Sequence, residues 1–311
     1  MNKLAVLVPC YNEELTVSKV VKDFKRELPN ADIYVYDNNS KDKTVELAKA
    51  AGAIVRKETK QGKGNVVRTM FKEIDADVYI LVDGDDTYPA EEVKKLIQPV
   101  LDREADMVIG DRLSNGTYFA ENKRGFHGFG NNLVKNLINW LFKSDIRDIM
   151  TGYRVYSRRF VKNMPIMSAG FQIETEMTIF SLVYRMKIVE VPITYRDRPE
   201  GSESKLNTLS DGFKVLMTLF DLFKNYRPML FFSGMCLLFL LLGIIVEFIK
   251  TAYITKVPSA VLAAALFVIA FLLFLVGVIL DSIKNQSCIL FENQLNQFEY
   301  HEAEKNRGIR E

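Results

Sequence analysis

Apolar residues follow two rhythms along this chain. Short β-branched runs at residues 4–8, 33–36, 53–55, 78–82 and 107–109 alternate with longer stretches, such as 13–28 and 44–51, whose apolar residues recur at helical spacing. The alternation predicts an α/β fold with a mainly parallel, twisted sheet covered by helices on both faces, because parallel neighbours need crossover connections. Ligands of such sheets bind beyond the carboxyl ends of the strands, so the polar residues after each run are where chemistry is sought.

Residues 124–198 supply a helix near 131–142, another at 172–186 and a strand at 188–191, and are read as completing the same domain. From Lys205 to Arg227 the apolar residues Leu206, Leu209, Phe213, Leu216, Met217, Phe220 and Phe223 recur at three and four, which predicts an amphipathic helix on a membrane surface. Residues 229–246 and 257–280 then hold no charged side chain, and each run is near the roughly 20 residues that a bilayer requires. The expected organisation is a large domain at 1–204, a juxtamembrane helix at 205–228, a transmembrane hairpin at 229–281 with spans near 229–249 and 259–280, and a tail at 282–311. Lys205, Lys214, Lys224 and Arg227 precede the hairpin and Lys284, Lys305, Arg307 and Arg310 follow it, whereas the connection carries Lys250 and Lys256. Positive charge thus predicts a multi-pass membrane protein with its large domain in the cytoplasm.

Charge narrows the partners. The 41 Lys and Arg against 39 Asp and Glu leave a net charge of +2, which argues against a nucleic-acid partner held by a broad basic surface. Cys10, Cys236 and Cys288, with His127 and His301, lack the spacing of a disulfide framework or zinc site and fit a reducing compartment. The N-terminal basic-then-apolar run stops at Pro9 and reads as a first strand rather than a signal peptide.

The first strand runs into Pro9-Cys10-Tyr11-Asn12-Glu13-Glu14 and the second into Asp37-Asn38-Asn39-Ser40-Lys41-Asp42-Lys43-Thr44. Carboxylates and amides at adjacent strand ends suit a hydrogen-bonded grip on a base and a ribose, although singly Asn12 and Asp42 also suit helix caps. Gln61-Gly62-Lys63-Gly64-Asn65 opens a helix whose N-terminus, with Lys63, attracts phosphate, but it lacks the P-loop spacing. The fourth strand runs into Asp83-Gly84-Asp85-Asp86-Thr87. Clustered carboxylates there suit Mg²⁺ or Mn²⁺ bridging a diphosphate, a solvated acidic turn being the ordinary alternative. Glu174 and Glu176 lie two residues apart on a helix and so on different faces; Glu176 is read as structural and Glu174 is left open.

These motifs, followed in order by Asp148-Ile149-Met150-Thr151-Gly152-Tyr153-Arg154 and Ser204-Lys205-Leu206, resemble the inverting family 2 glycosyltransferases of GT-A fold. Within them the similarity is to the branch of dolichol-phosphate mannose synthases and bacterial polyprenyl-phosphate glycosyltransferases. It covers residues 3–206, and the two-helix tail is similar to that of the bacterial members. The resemblance implies that Pro9, Tyr11, Asn12, Glu13, Asp37 and Asn39 hold the nucleoside, with Gly62 and Lys63 near the base or phosphates. Asp83, Gly84 and Asp85 are then expected at the sugar diphosphate, Asp83 and Asp85 as metal ligands. Some relatives use a Gln two residues beyond the second Asp as a further metal contact; here that place is Thr87, and Asp86 is the candidate substitute. Arg112, Lys123 and Arg124 correspond to groups that bind the lipid phosphate, and Arg198 and Lys205 are expected to join them. Asp85, Asp148 and Arg154 are the candidate catalytic groups, with an Asp148–Arg154 ion pair as the structural alternative for the last two.

The implied reaction is a single displacement in which a polyprenyl phosphate oxygen attacks the anomeric carbon of a nucleotide-sugar and inverts it, Mg²⁺ or Mn²⁺ stabilising the departing nucleotide. Similarity of the tail to the bacterial branch favours UDP-glucose or UDP-N-acetylglucosamine over GDP-mannose, undecaprenyl phosphate as acceptor, and a bacterial or archaeal plasma membrane. A processive polysaccharide synthase would need a Gln-x-x-Arg-Trp element, yet the sole tryptophan sits in Asn139-Trp140-Leu141-Phe142. A non-catalytic membrane scaffold is the rival from another class, against which the intact acidic and basic motifs argue and which metal-dependent donor turnover would exclude. Membrane lipids are further partners. The apolar residues Ile283, Ile289, Leu290, Phe291, Leu295 and Phe298 admit a homo-oligomer as readily as packing on the chain's own domain.

Overall fold

The apolar runs become strands of one sheet. The computed structural model describes residues 2–114, 116, 125–199, 217, 220–221, 223–253 and 258–308. Strands β1 (Leu4–Cys10), β2 (Asp32–Asp37), β3 (Ile54–Lys57), β4 (Val78–Leu81), β5 (Met107–Asp111), β6 (Arg154–Ser157) and β7 (Ile188–Pro192) pair in the order β3-β2-β1-β4-β6-β5-β7. Every pairing is parallel except those of β6, which runs antiparallel to β4 and β5. Helices α1 (Val17–Glu27), α2 (Thr44–Ala50), α3 (Lys63–Glu73) and α4 (Val93–Leu101) lie in the crossovers, and α5 (Gly125–Phe142), α6 (Arg158–Asn163) and α7 (Ile173–Val183) complete the α/β fold.

Central strands must be apolar on both faces when helices cover both sides. Ala5 to Val8 of β1 and Val78 to Leu81 of β4 are accordingly buried, and α1 turns Val17, Val20, Val21 and Phe24 onto the sheet. Strand β6 goes beyond the pattern in the sequence: it is four residues long and begins with a fully buried Arg154. A charged residue at a core position erases the alternation by which so short a strand is recognised.

Two compact units make up the chain: Met1–Val215 with Phe298–Glu311, and Leu216–Gln297. The second contains all of α8 (Pro228–Tyr253) and most of α9 (Pro258–Gly308), two helices long and apolar enough to cross a membrane, with mean hydropathies of 2.7 and 3.1 over their apolar windows. They run antiparallel: Gly243 faces Phe267 and Gly277 faces Phe232, both too close to admit a Cβ without movement. Leu237, Ile245, Phe248, Leu262 and Phe271 stay exposed, as lipid-facing side chains do. Phe220 and Phe223 meet Phe231 edge-on at 5.1 and 5.4 Å; most of the expected amphipathic helix at 205–228 lies outside the described residues. Helix α9 continues through the expected tail to Gly308. Its end belongs to the first unit, where Glu299 and Glu302 pair with Arg159 at 2.6 Å and Arg158 at 3.3 Å.

Candidate active site

The parallel register brings the first two motifs together. Cys10 stands opposite Asp37, and Asn38 N–H donates to the Cys10 carbonyl at 2.9 Å. Asn12, in the left-handed conformation at φ 53°, receives Lys41 N–H on its side chain at 2.8 Å, and its own N–H donates to Ser40 Oγ at 2.9 Å. Asn39, also left-handed, donates to the Thr59 carbonyl at 2.9 Å, while Asn38 Oδ1 receives Gly62 N–H at 2.7 Å. These amides tie the loops after β1, β2 and β3 to one another. Asp42 receives Thr44 N–H at 3.0 Å two residues before α2, a turn contact rather than a cap, since Lys43 takes the N-cap position and makes no side-chain capping bond.

Between those loops lies a concentration of negative charge. Glu13 and Asp37 are buried, Pro9 and Tyr11 half-buried. Burial pushes the Cys10 thiol well up, and Glu13, Asp37, Asp83 and Asp85 push it further, so four carboxylates surround the end of β1. The turn after β4 crosses that end closely enough that a Cβ on Gly84 would stand 2.7 Å from Cys10 Sγ. Thr16 Oγ1 holds the turn by donating to the Gly84 carbonyl at 2.6 Å.

Asp85 is buried, receives Thr87 Oγ1–H at 2.7 Å on one oxygen and meets the Arg198 guanidinium at 2.5 Å with the other. Arg196 N–H donates to the Thr87 carbonyl at 3.0 Å, which carries Arg198 to the acidic turn. Burial and then the neighbouring Asp83 raise the Asp85 pKa, against Arg198 and Thr87, which lower it. Asp86, the candidate substitute, has a left-handed backbone, φ 61°, and pairs its carboxylate with Lys19 at 2.7 Å. Thr87, in the place of the Gln of some relatives, orients Asp85 by donating to its Oδ1 from both N–H and Oγ1–H.

Asp83 meets a different cation. Lys63, the first residue of α3, places Nζ 2.5 Å from Asp83 Oδ1 and 2.7 Å from Glu174 Oε1. Burial disfavours the ammonium, but the two carboxylates outweigh it and hold its pKa above the ordinary value. Gly152 makes room for the pair, since a Cβ there would overlap Asp83 Oδ2 and stand 3.0 Å from Lys63 Nζ. Gly152→Ala is expected to destabilise the domain by about 1–3 kcal/mol through overpacking, measured by denaturant unfolding; unchanged stability would contradict this packing.

Among the described residues no group of three or more His, Cys, Asp or Glu side chains is gathered to hold a metal ion. Asp83 and Asp85 nevertheless fit one. The guanidinium on Asp85 stands as a cation would, and a two-carboxylate set suits Mg²⁺ or Mn²⁺ that draws its other oxygens from phosphates and water.

The segment before β6 departs from expectation. Asp148 pairs with Arg112, at 2.7 Å to Nε and 2.9 Å to Nη2, and also receives Arg112 N–H at 3.2 Å. The Asp148–Arg154 ion pair does not form. Arg154, pointing into the core from β6, donates instead to the Thr151 and Ile149 carbonyls at 3.0 and 2.5 Å and to Thr178 Oγ1 at 2.9 Å. Lys123, Arg124 and Lys205 lie outside the described residues.

Two further groups belong to the site. Tyr88 is buried, and its hydroxyl receives Gly152 N–H at 3.0 Å and Arg112 Nη1–H at 3.4 Å, joining the acidic turn to the Asp148 segment. Its signal in the sequence is slight: an aromatic with a polar tip just after Asp83-Gly84-Asp85-Asp86-Thr87. Glu174 is the other, through Lys63. Glu176 receives Met167 and Ser168 N–H groups, each at 2.8 Å, and so holds the loop whose Ser168 and Ala169 carbonyls pack on Gly64 and Gly62.

A family model described as glycosyl transferase family 2 matches residues 5–164. Glycosyltransferase AglJ of Haloferax volcanii is 34% identical over 236 residues, 74% of this chain and 75% of that protein. The dolichyl-phosphate hexose transferase of the same organism is 32% identical over 212 residues, 68% of this chain and 90% of its own length. Among solved structures, glucosyl-3-phosphoglycerate synthase from Mycobacterium tuberculosis, in complex with Mn²⁺, UDP and glucosyl-3-phosphoglycerate, superposes with a TM-score of 0.60 at 21% identity, covering 71% of this chain and 80% of that one. At that identity the likeness is one of fold.

Proposed function

Because the chain belongs to glycosyl transferase family 2, we propose that it transfers one sugar from a nucleotide-sugar to a polyprenyl phosphate at the cytoplasmic face of a membrane, inverting the anomeric carbon. The reading rests on one combination: the acidic pair Asp83 and Asp85 in the turn that follows β4 and crosses the end of β1, in a chain with two apolar helices long enough to cross a bilayer. A relative named as a dolichyl-phosphate hexose transferase supports the acceptor class. UDP-glucose or UDP-N-acetylglucosamine is the favoured donor and undecaprenyl phosphate the favoured acceptor. The two apolar helices form a hairpin with both ends in the cytoplasm.

Glu13, Asp37 and the loops tied by Asn12 and Asn39 hold the nucleoside. Asp83 and Asp85 would hold Mg²⁺ or Mn²⁺, which supplies neutralisation of the leaving diphosphate. Thr87 keeps the Asp85 carboxylate oriented, and Arg198 leaves it to contact phosphate. A phosphate monoester is already largely ionised near neutrality, so the acceptor needs orientation more than deprotonation. In this reading Asp148 serves by fixing Arg112 rather than by taking a proton. Holding both reactants at the depth of the lipid headgroup supplies much of the rate.

The test is transfer by purified full-length protein with Mn²⁺, undecaprenyl phosphate and a panel of radiolabelled UDP- and GDP-sugars. One donor is expected to label the lipid, with the activity lost in EDTA and restored by Mn²⁺. Nucleotide binding without transfer from any donor would favour the scaffold.

A further inference from the structure

Lys63 occupies an unusual position. As the first residue of α3 it sits at the positive end of a helix, where a cation is disfavoured, and its side chain is only 9% exposed. Two carboxylates compensate: Asp83, 27% exposed and open to the crevice, and Glu174, 5% exposed in the first turn of α7. Two carboxylates on one ammonium leave the cluster with one negative charge in excess. A structural ion pair needs only one carboxylate, and burying a second is costly unless it serves something else.

We infer that Glu174 is a positioning residue for Lys63, anchoring the ammonium from the protein interior so that it stays beside the donor diphosphate when Asp83 turns to the cation. The inference deepens the proposed function and rests on it. An ammonium has three N–H donors. Two meet Asp83 and Glu174, leaving the third for a phosphate oxygen. Without the Glu174 charge, Lys63 has Asp83 as its one close anion among the described residues and competes with the incoming cation for that carboxylate. Glu176, one half-turn on, fixes the loop over Gly62 and Gly64, so both residues of the pair act on the start of α3.

The experiment is calorimetric titration of full-length protein with UDP or GDP in the presence of Mn²⁺, with melting temperatures recorded in parallel. Glu174→Gln is expected to weaken nucleotide binding about tenfold, and Lys63→Met to do the same, with Glu174→Gln adding less than about twofold in the Lys63→Met background. Glu174→Asp keeps the charge with a shorter reach and is expected to weaken binding only about threefold; it also serves as the test if Glu174→Gln does not fold. Wild-type affinity in the variant tested, or independent effects of the Glu174 and Lys63 changes, would overturn the inference alone. A wild-type protein that binds neither nucleotide would overturn the donor reading and the inference together.

Discussion

Asp85→Ala is expected to lower the rate of sugar transfer about 10²–10³-fold, the usual cost of removing a group that stabilises charge developing on a leaving group. The fold is expected to tolerate the change. Asp85 is a buried carboxylate whose pKa is raised by burial and by Asp83, so its removal relieves repulsion while freeing Arg198 to face the crevice. Melting temperature within a few degrees of wild type, together with the lost rate, separates a functional carboxylate from a structural one. Asp85→Asn keeps the acceptor for Thr87 and is expected to be almost as inactive, because the charge rather than the hydrogen bond holds a cation. Substantial activity in either variant would remove the metal role of this turn.

Asp148→Ala is expected to act in the opposite manner, with a large loss of stability. Asp148 is fully buried and both its oxygens are engaged by the Arg112 side chain. Removing one partner of such a pair leaves a buried charge uncompensated, at a cost of about 3–5 kcal/mol. The double change Asp148→Leu with Arg112→Met is expected to be milder than Asp148→Ala alone, since it removes the orphaned charge as well. A proton-accepting role for Asp148 makes a contrasting prediction. Asp148→Asn would then lose about 10²–10⁴-fold in rate through the missing proton acceptor, in folded protein and beyond any loss its stability explains. Urea unfolding and transfer kinetics on the same preparations separate the two.

Much of the fold was legible because apolar runs and helical periods report burial directly. β1, β2 and β4 are buried on both faces and stand out as near-continuous apolar segments, and residues 229–246 of α8 and 258–280 of α9 lack charge altogether. Strand β6 was hidden by Arg154, whose burial is made tolerable by carbonyls distant from the apolar pattern. The site was legible as a set of motifs but not as a set of pairings. The run Asp83-Gly84-Asp85-Asp86-Thr87 announces a carboxylate cluster, yet the left-handed conformation of Asp86, which sends it to Lys19, has no local sequence signature beyond the tolerance of Asp for that region. Lys63 with Glu174 and Arg112 with Asp148 join residues far apart in sequence. Such pairings depend on which helix face meets which strand end, and periodicity alone does not specify that.

The central claim is one sugar on one lipid phosphate, and the most direct measurement is structural characterisation of the lipid product by mass spectrometry and proton NMR of the anomeric linkage. The predicted product is polyprenyl phosphate carrying a single hexose or N-acetylhexosamine, with the anomeric configuration opposite to that of the donor. A lipid bearing a chain of sugars, a second phosphate between sugar and lipid, or a retained anomer would contradict it.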